Sequence, residues 1–292
     1  MWKAILPASA AGFYAYDTFQ GGAKVNRSAR AAYAGVATFI EYKFVLGRSD
    51  QPLERIHTRV AERWLWCVQQ NGGLYTKLAQ AISSMNHVLP REYIQTLQVV
   101  QDQAPTVSSE EVEQVLMEEF GKPSSEIFAT FENKAIASAS IAQVHQATLK
   151  DGTLVAVKIQ KPQIRKQIDA DLFMYQVLAF FIEKAFDLPV QWSVPYTCAQ
   201  LRQETDFNIE SNNSKLARDN IEVALKKSVT IPDVFPDYST SRVLTTEWIQ
   251  GVKITDMEGV KKLGFKGSEI MEIVTKFFSH QLFVSGHLQY VP

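Results

Sequence analysis

Cysteine is scarce: Cys67 and Cys198 are the only two, they lie far apart, and neither sits in a metal-ligand spacing. That pattern argues against a disulfide-stapled scaffold and predicts plain buried or half-buried thiols in a reducing compartment. An excess of one charge is lacking too. Thirty Lys and Arg face thirty-one Asp and Glu, for a net charge of −1, so no basic face is forced and a general nucleic-acid binder is disfavoured. Long apolar runs are missing as well. Residues 4–16 are too short to cross a bilayer, and residues 31–46 carry Glu41 and Lys43, so neither offers the ~20 apolar residues of a membrane-spanning helix. No long apolar core followed by a small-residue cleavage site opens the chain, which argues against a secretory signal peptide.

Acid is nearly absent at the amino terminus. Asp17 is the only acidic residue before Glu41, while Lys3, Lys24, Arg27 and Arg30 are basic among many Ala, Gly and Ser. Such a start suits a mitochondrial targeting segment. Residues 1–48 are therefore expected either to meet a membrane or to form a pair of amphipathic helices packed on the domain. The remaining composition, 46% apolar and 21% charged over 292 residues, permits a sizeable core in one large or two modest domains.

Helical signals follow. Leu53, Ile56, Val60, Trp64, Leu65 and Val68 recur at three- and four-residue steps, one apolar stripe. Asn71-Gly72-Gly73 interrupts it, and a second helix carries Lys77 and Gln80 on one side. Helical spacing alone reads that pair as solvated surface. Pro90 opens another helix, and Ser108 to Glu111 open one that ends at Phe120, before Gly121. A helical extension over residues 49–122 results.

The most informative stretch is itself marked by an absence. Ala137, Ser138, Ala139, Ser140 and Ile141 form a small-residue loop with no glycine, followed by an apolar strand through His145. Asp151-Gly152 is a strong hairpin signal, and Val155-Ala156-Val157-Lys158 is the third-strand pattern of protein kinases, whose lysine meets nucleotide phosphates and a helical glutamate. Without glycine the loop cannot freely take positive φ, although its N–H groups can still approach phosphates. Asp206, Glu210 and Asn213, four and seven apart, are expected on one helix face, with Glu210 as the partner of Lys158. The competing reading of that face is a solvated acidic surface. Residues 231–235 and 243–249 read as a strand pair around a turn at 237–241. The second, ending at Gly251, suits a kinase hinge in which backbone near Glu247 and Trp248 meets an adenine edge, or simply an ordinary strand. Ile270, Ile273, Val274, Phe277, Phe278, Leu282 and Phe283 give a last helix a broad apolar face, expected to be exposed and prone to association, instability or membrane contact.

Together these motifs resemble the UbiB family of atypical kinase-like proteins, the aarF-domain kinases. Lys77-Leu78-Ala79-Gln80 is similar to the family's KxGQ motif, residues 137–145 to its alanine-rich loop, and Glu204-Thr205-Asp206-Phe207 with Glu210 and Asn213 to its ExDF helix. The wording of the amino-terminal part resembles the mitochondrial eukaryotic branch. The resemblance implies an α+β fold: a kinase-like small lobe over residues 123–251, an antiparallel sheet with inserted helices, preceded by the helical extension. It implies ATP as ligand, Glu204 and Asp206 meeting Lys77, altered nucleotide handling by the alanine loop, and a role in mitochondrial lipid or quinone homeostasis, with inner-membrane association. Two departures accompany it. Ala79 replaces the motif glycine and adds a methyl where helices meet. The family's DPHPGN loop and DFG metal site are not found after Gly286, where the sequence reads through Val291 to Pro292. Residues 252–292 are then the start of a large lobe mostly absent, without magnesium ligands or catalytic residues, and ATP binding without phosphoryl transfer is expected. The rival expectation is a non-enzymatic membrane-associated scaffold or lipid-binding regulator.

Overall fold

A computed structural model describes residues 12–18, 21–46, 51–84, 89–101, 105–221 and 225–286. In chain order the helices and strands are α1 (Lys24–Ile40), α2 (Leu53–Asn71), α3 (Leu74–Ser83), α4 (Arg91–Leu97), α5 (Ser109–Phe120), β1 (Thr130–Phe131), β2 (Ala137–Ser138), β3 (Ala142–Thr148) and β4 (Leu154–Gln160). They continue as α6 (Ile164–Phe186), α7 (Val194–Gln203), α8 (Phe207–Asn220), β5 (Val243–Glu247), α9 (Met257–Lys262) and α10 (Gly267–His280). The fold is α+β. It divides into two compact units, each drawn from separated stretches of chain.

The first unit comprises the described residues of Met1–Val115, with Ala135–Gln143 and Gln160–Thr205. It is helical because its apolar positions keep helical period. In α2, Ile56, Val60, Cys67 and Val68 are buried, and in α1 Arg27, Ala31 and Ala34 share one buried face. Ala31 and Ala34 enter a core with Cys67, Val68, Tyr75, Ala79 and Leu97, while Leu74, Leu172, Val194, Cys198 and Leu201 form a second. One face of α1 is thus packed in the first core; residues 1–11 lie outside the described residues. Among the described residues no helix is long and apolar enough to cross a membrane. Both cysteines are free and buried, and burial pushes the Cys67 thiol up to about 11.

The turn between α2 and α3 depends on glycine. Gly72 and Gly73 have φ of +60° and +55°, in the region that side chains resist. A β-carbon at Gly73 would also lie 3.0 Å from Ile164 Cδ1. A buried ion pair anchors the same corner. Arg27 Nε donates to Asp171 Oδ1 at 3.0 Å, a second guanidinium nitrogen donates to Oδ2, and the third donates to the Asn71 carbonyl. Asn71 returns a bond from its amide to the Arg27 carbonyl at 3.1 Å, and the guanidinium lies 5.4 Å from the Tyr75 ring centroid. Both charged side chains are only 4% exposed, so the bidentate geometry and the extra acceptor offset their desolvation.

The second unit, Leu116–Lys134, Val144–Ile159 and the described part of Asp206–Pro292, holds the sheet, ordered β1-β3-β4-β5 and antiparallel where register is defined. The β3–β4 turn closes through Leu149 N–H to Thr153 O at 2.8 Å, with Gly152 at φ +91°. Along β4, Val155, Val157 and Ile159 are buried while Ala156 and Lys158 are half-buried, as period-two alternation requires. The expected strand over residues 231–235 does not form. Only a single bridge, Val234 to Thr246, joins it to β5, and Pro236–Tyr238 is a 3₁₀ turn. Proline lacks the N–H a ladder needs, and Arg218 takes the Ile231 and Pro232 carbonyls at 3.3 and 2.5 Å. At the carboxyl end α10 continues as a π-helical turn, Gln281–Ser285. Val291 and Pro292 lie outside the described residues.

Candidate functional site

Lys158 projects from the half-buried side of β4, opposite Leu244 of β5. Its ammonium donates to both carboxylate oxygens of Glu210, at 2.8 Å to Oε1 and 2.7 Å to Oε2. The two side chains are 23% and 21% exposed. Glu210 reaches it because α8 starts just upstream: Asp206 Oδ1 caps the helix by accepting from Asn208 N at 3.0 Å, and Phe207 N donates to Ser241 O at 3.0 Å. Phe207 is itself 1% exposed, and its ring centroid lies 5.0 Å from Lys158 Nζ, so the ammonium rests on an aromatic face. Asp206 therefore stands just before the helix as its cap. Asn213, half-buried, stands one turn beyond Glu210.

The other motif residues are placed as follows. Lys77 Nζ lies 3.1 Å from Glu204 Oε2, a pair between α3 and the end of α7. Gln80 donates to the Val100 carbonyl at 3.4 Å, a long bond. Ala79 is 2% exposed, its methyl packed in the core with Ala31 and Ala34, so small residues around it absorb the added carbon.

The small-residue loop is pinned by several bonds. Ala139 N–H donates to Ala142 O at 2.8 Å and Ser138 Oγ to Pro105 O at 3.0 Å. Lys161 donates twice: its backbone N–H to Ile141 O at 2.9 Å, and its ammonium to Ala139 O at 2.6 Å. Ser140 and Ile141 are buried, Ser138 is half-buried, and Ala137 and Ala139 are exposed.

At the expected hinge, Glu247 N–H donates to Asp233 O at 2.7 Å and Trp248 N–H to Leu154 O at 3.2 Å. Both donors are engaged within the sheet. Among the described residues no three His, Cys, Asp or Glu gather so as to hold a metal ion.

Two residues carry more than their sequence positions suggested. Phe207 sits inside the ExDF wording but had no role, since the ring's position over Lys158 depends on the bend before α8. Lys161 follows the Val-Ala-Val-Lys signal by three residues, and only its burial distinguishes it from an ordinary surface lysine.

Residues 99–291 match the family described as the ABC1 atypical kinase-like domain. The chain is 37% identical over 290 residues to an ABC1 family protein of Schizosaccharomyces pombe, covering 98% of this chain and 54% of that one. It is 34% identical to a probable serine/threonine-protein kinase of Dictyostelium discoideum (99% of this chain, 43% of that one). It is 31% identical to AarF domain-containing protein kinase 1 of Gallus gallus (99% and 57%). The chain thus spans about half the length of the curated relatives it matches. A Mycobacterium tuberculosis protein solved in complex with erythromycin is 30% identical, with a TM-score of 0.45 over 61% of this chain and 45% of that one.

Proposed function

The chain belongs to the ABC1 family of atypical kinase-like proteins, and on that premise we propose that it binds ATP through Lys158. The observation that carries this reading is the two-bond pair between Lys158 and Glu210, with Phe207 beneath the ammonium. Partly exposed ion pairs contribute only about 0–1 kcal/mol to stability. This pair is better understood as orientation: the carboxylate fixes an ammonium that keeps a third N–H for a phosphate oxygen. Donors to an adenine edge would come from residues after Trp248, because the Glu247 and Trp248 N–H groups are spent.

For this chain the proposal is nucleotide binding; phosphoryl transfer, which needs magnesium ligands as well, is not part of it. The setting we propose is mitochondrial lipid or quinone homeostasis, supported by the resemblance and by the acid-poor, basic amino terminus. A thermal-shift titration with ATP tests the reading. The expected outcome is a saturable stabilisation that Lys158→Ala weakens at least about tenfold, since hydrogen bonds to charged groups contribute about 1.5–3 kcal/mol. The melting temperature without nucleotide should hardly move. No shift at any ATP concentration would overturn the reading and favour the non-enzymatic scaffold, to which the exposed apolar residues of α10 would then belong.

A further inference from the structure

Lys161 is a buried cation with an incomplete set of partners. The residue is 7% exposed. Its ammonium has three N–H donors, and among the described residues the structure gives it one acceptor, the neutral carbonyl of Ala139 at 2.6 Å, and no ion pair. Isolated buried charges are costly, and the usual remedy is a carboxylate or several acceptors. Arg27, equally buried, has both, in Asp171 and the Asn71 carbonyl. Lys161 has neither, and burial pulls its ammonium down to about 8, with no nearby charge contributing.

The position of this cation is set by the backbone. Lys161 N–H is bonded to Ile141 O, so the residue is anchored at one end of the loop while its side chain reaches back to Ala139, two residues earlier. The side chain therefore folds back against the loop of residues 139–141. Ala139, whose carbonyl is the ammonium's acceptor, is itself exposed, so the bond stands at the edge of the loop facing solvent.

We propose that Lys161 and residues 139–141 form a phosphoryl-binding subsite, in which the ammonium exchanges the Ala139 carbonyl for an anionic phosphate oxygen. The arrangement explains how a loop without glycine can serve an anion: the attraction comes from a lysine beneath the loop, where a glycine loop would rely on free backbone. That the phosphate belongs to a nucleotide rests on the ATP reading above; that the subsite takes a tetrahedral phosphoryl dianion does not.

Thermal-shift and calorimetric titrations of the full chain with pyrophosphate, ATP and AMP, with sodium sulfate at matched ionic strength, test the inference. Lys161→Gln keeps a donor for Ala139 and removes the charge; Lys161→Arg keeps the charge. The expected result is saturable binding of pyrophosphate and ATP that Lys161→Gln weakens about tenfold and Lys161→Arg by less than about threefold, with Lys161→Gln melting at or above the parent in the absence of ligand. If Lys161→Gln does not fold, Lys161→Met carries the same comparison. Unchanged affinity in the charge-removing variant, or a fall in affinity matched by a fall in its ligand-free melting temperature, overturns the subsite and leaves Lys161 a structural tether. ATP binding lost in Lys158→Ala but intact in Lys161→Gln overturns this inference alone. Pyrophosphate binding that requires Lys161 while ATP gives no shift upholds the subsite and overturns the nucleotide reading. Shifts equalled by sulfate at the same ionic strength overturn phosphoryl selectivity.

Discussion

Lys158 and Lys161 stand three residues apart, and their surroundings differ in what an ammonium needs most. Lys158 has a carboxylate on two bonds and an aromatic face; Lys161 has one carbonyl. The sequence made the first legible because Val-Ala-Val-Lys after Asp-Gly is a local signal with a stated chemistry. The second was hidden, because burial and a missing counter-ion are facts about three-dimensional surroundings. The difference has a consequence for pH. Lys161 in the folded chain releases its proton near pH 8, whereas an unfolded lysine holds it to about 10.4. Between those values the unfolded state binds more protons, so this residue's contribution to stability rises with pH; below pH 8 its buried charge is a cost. Lys161→Met should therefore gain most over the parent at pH 7, and the gain should shrink as pH rises toward 10. Melting temperatures of the two proteins measured side by side check this. A difference independent of pH would mean that Lys161 binds its proton in the folded protein as it does in the unfolded chain, so that burial does not weaken it.

Among the elements, helices were easier to read than their junctions. The stripe from Leu53 to Val68 and the break at Asn71-Gly72-Gly73 follow from periodicity and glycine conformation, and α2 and α3 form there. Residues 231–235 misled because their apolar content suits a strand, whereas Pro232 and Pro236 and the reach of Arg218 leave one bridge. The Arg27–Asp171 pair had no sequence signal, since no local pattern links residues so far apart. Yet this pair ties α1 and α6 to the α2–α3 turn from which the Lys77 helix departs. Removing one partner of a fully buried pair leaves an uncompensated charge and costs about 3–5 kcal/mol. Asp171→Ala should accordingly lower the unfolding free energy by that order in urea titrations. The double replacement Arg27→Met with Asp171→Leu should recover much of the loss, because no charge then remains buried. Equal destabilisation by the single and double variants would show that packing, and not charge compensation, holds this corner.

At the scale of the whole molecule, exposed apolar side chains gather on α10 and the turn after it. Met271, Phe278, Leu282, Phe283 and Val284 are exposed there, Phe283 by 80%. Soluble monomers rarely present adjoining apolar side chains of this size, and a net charge of −1 supplies little repulsion to keep copies apart. Copies of the chain should therefore associate through this face as concentration rises. Analytical ultracentrifugation over a hundredfold concentration range should show the sedimentation coefficient climbing for the parent. Phe278→Ser with Phe283→Ser should hold it constant, while the melting temperature changes little, because exposed substitutions typically cost within about 0.5 kcal/mol each. Two further results would count against that account. If the double variant sediments as the parent does, the contact lies elsewhere. If it melts well below the parent, Phe278 and Phe283 are buried in the folded chain in solution, and the exposed face is not what draws the copies together.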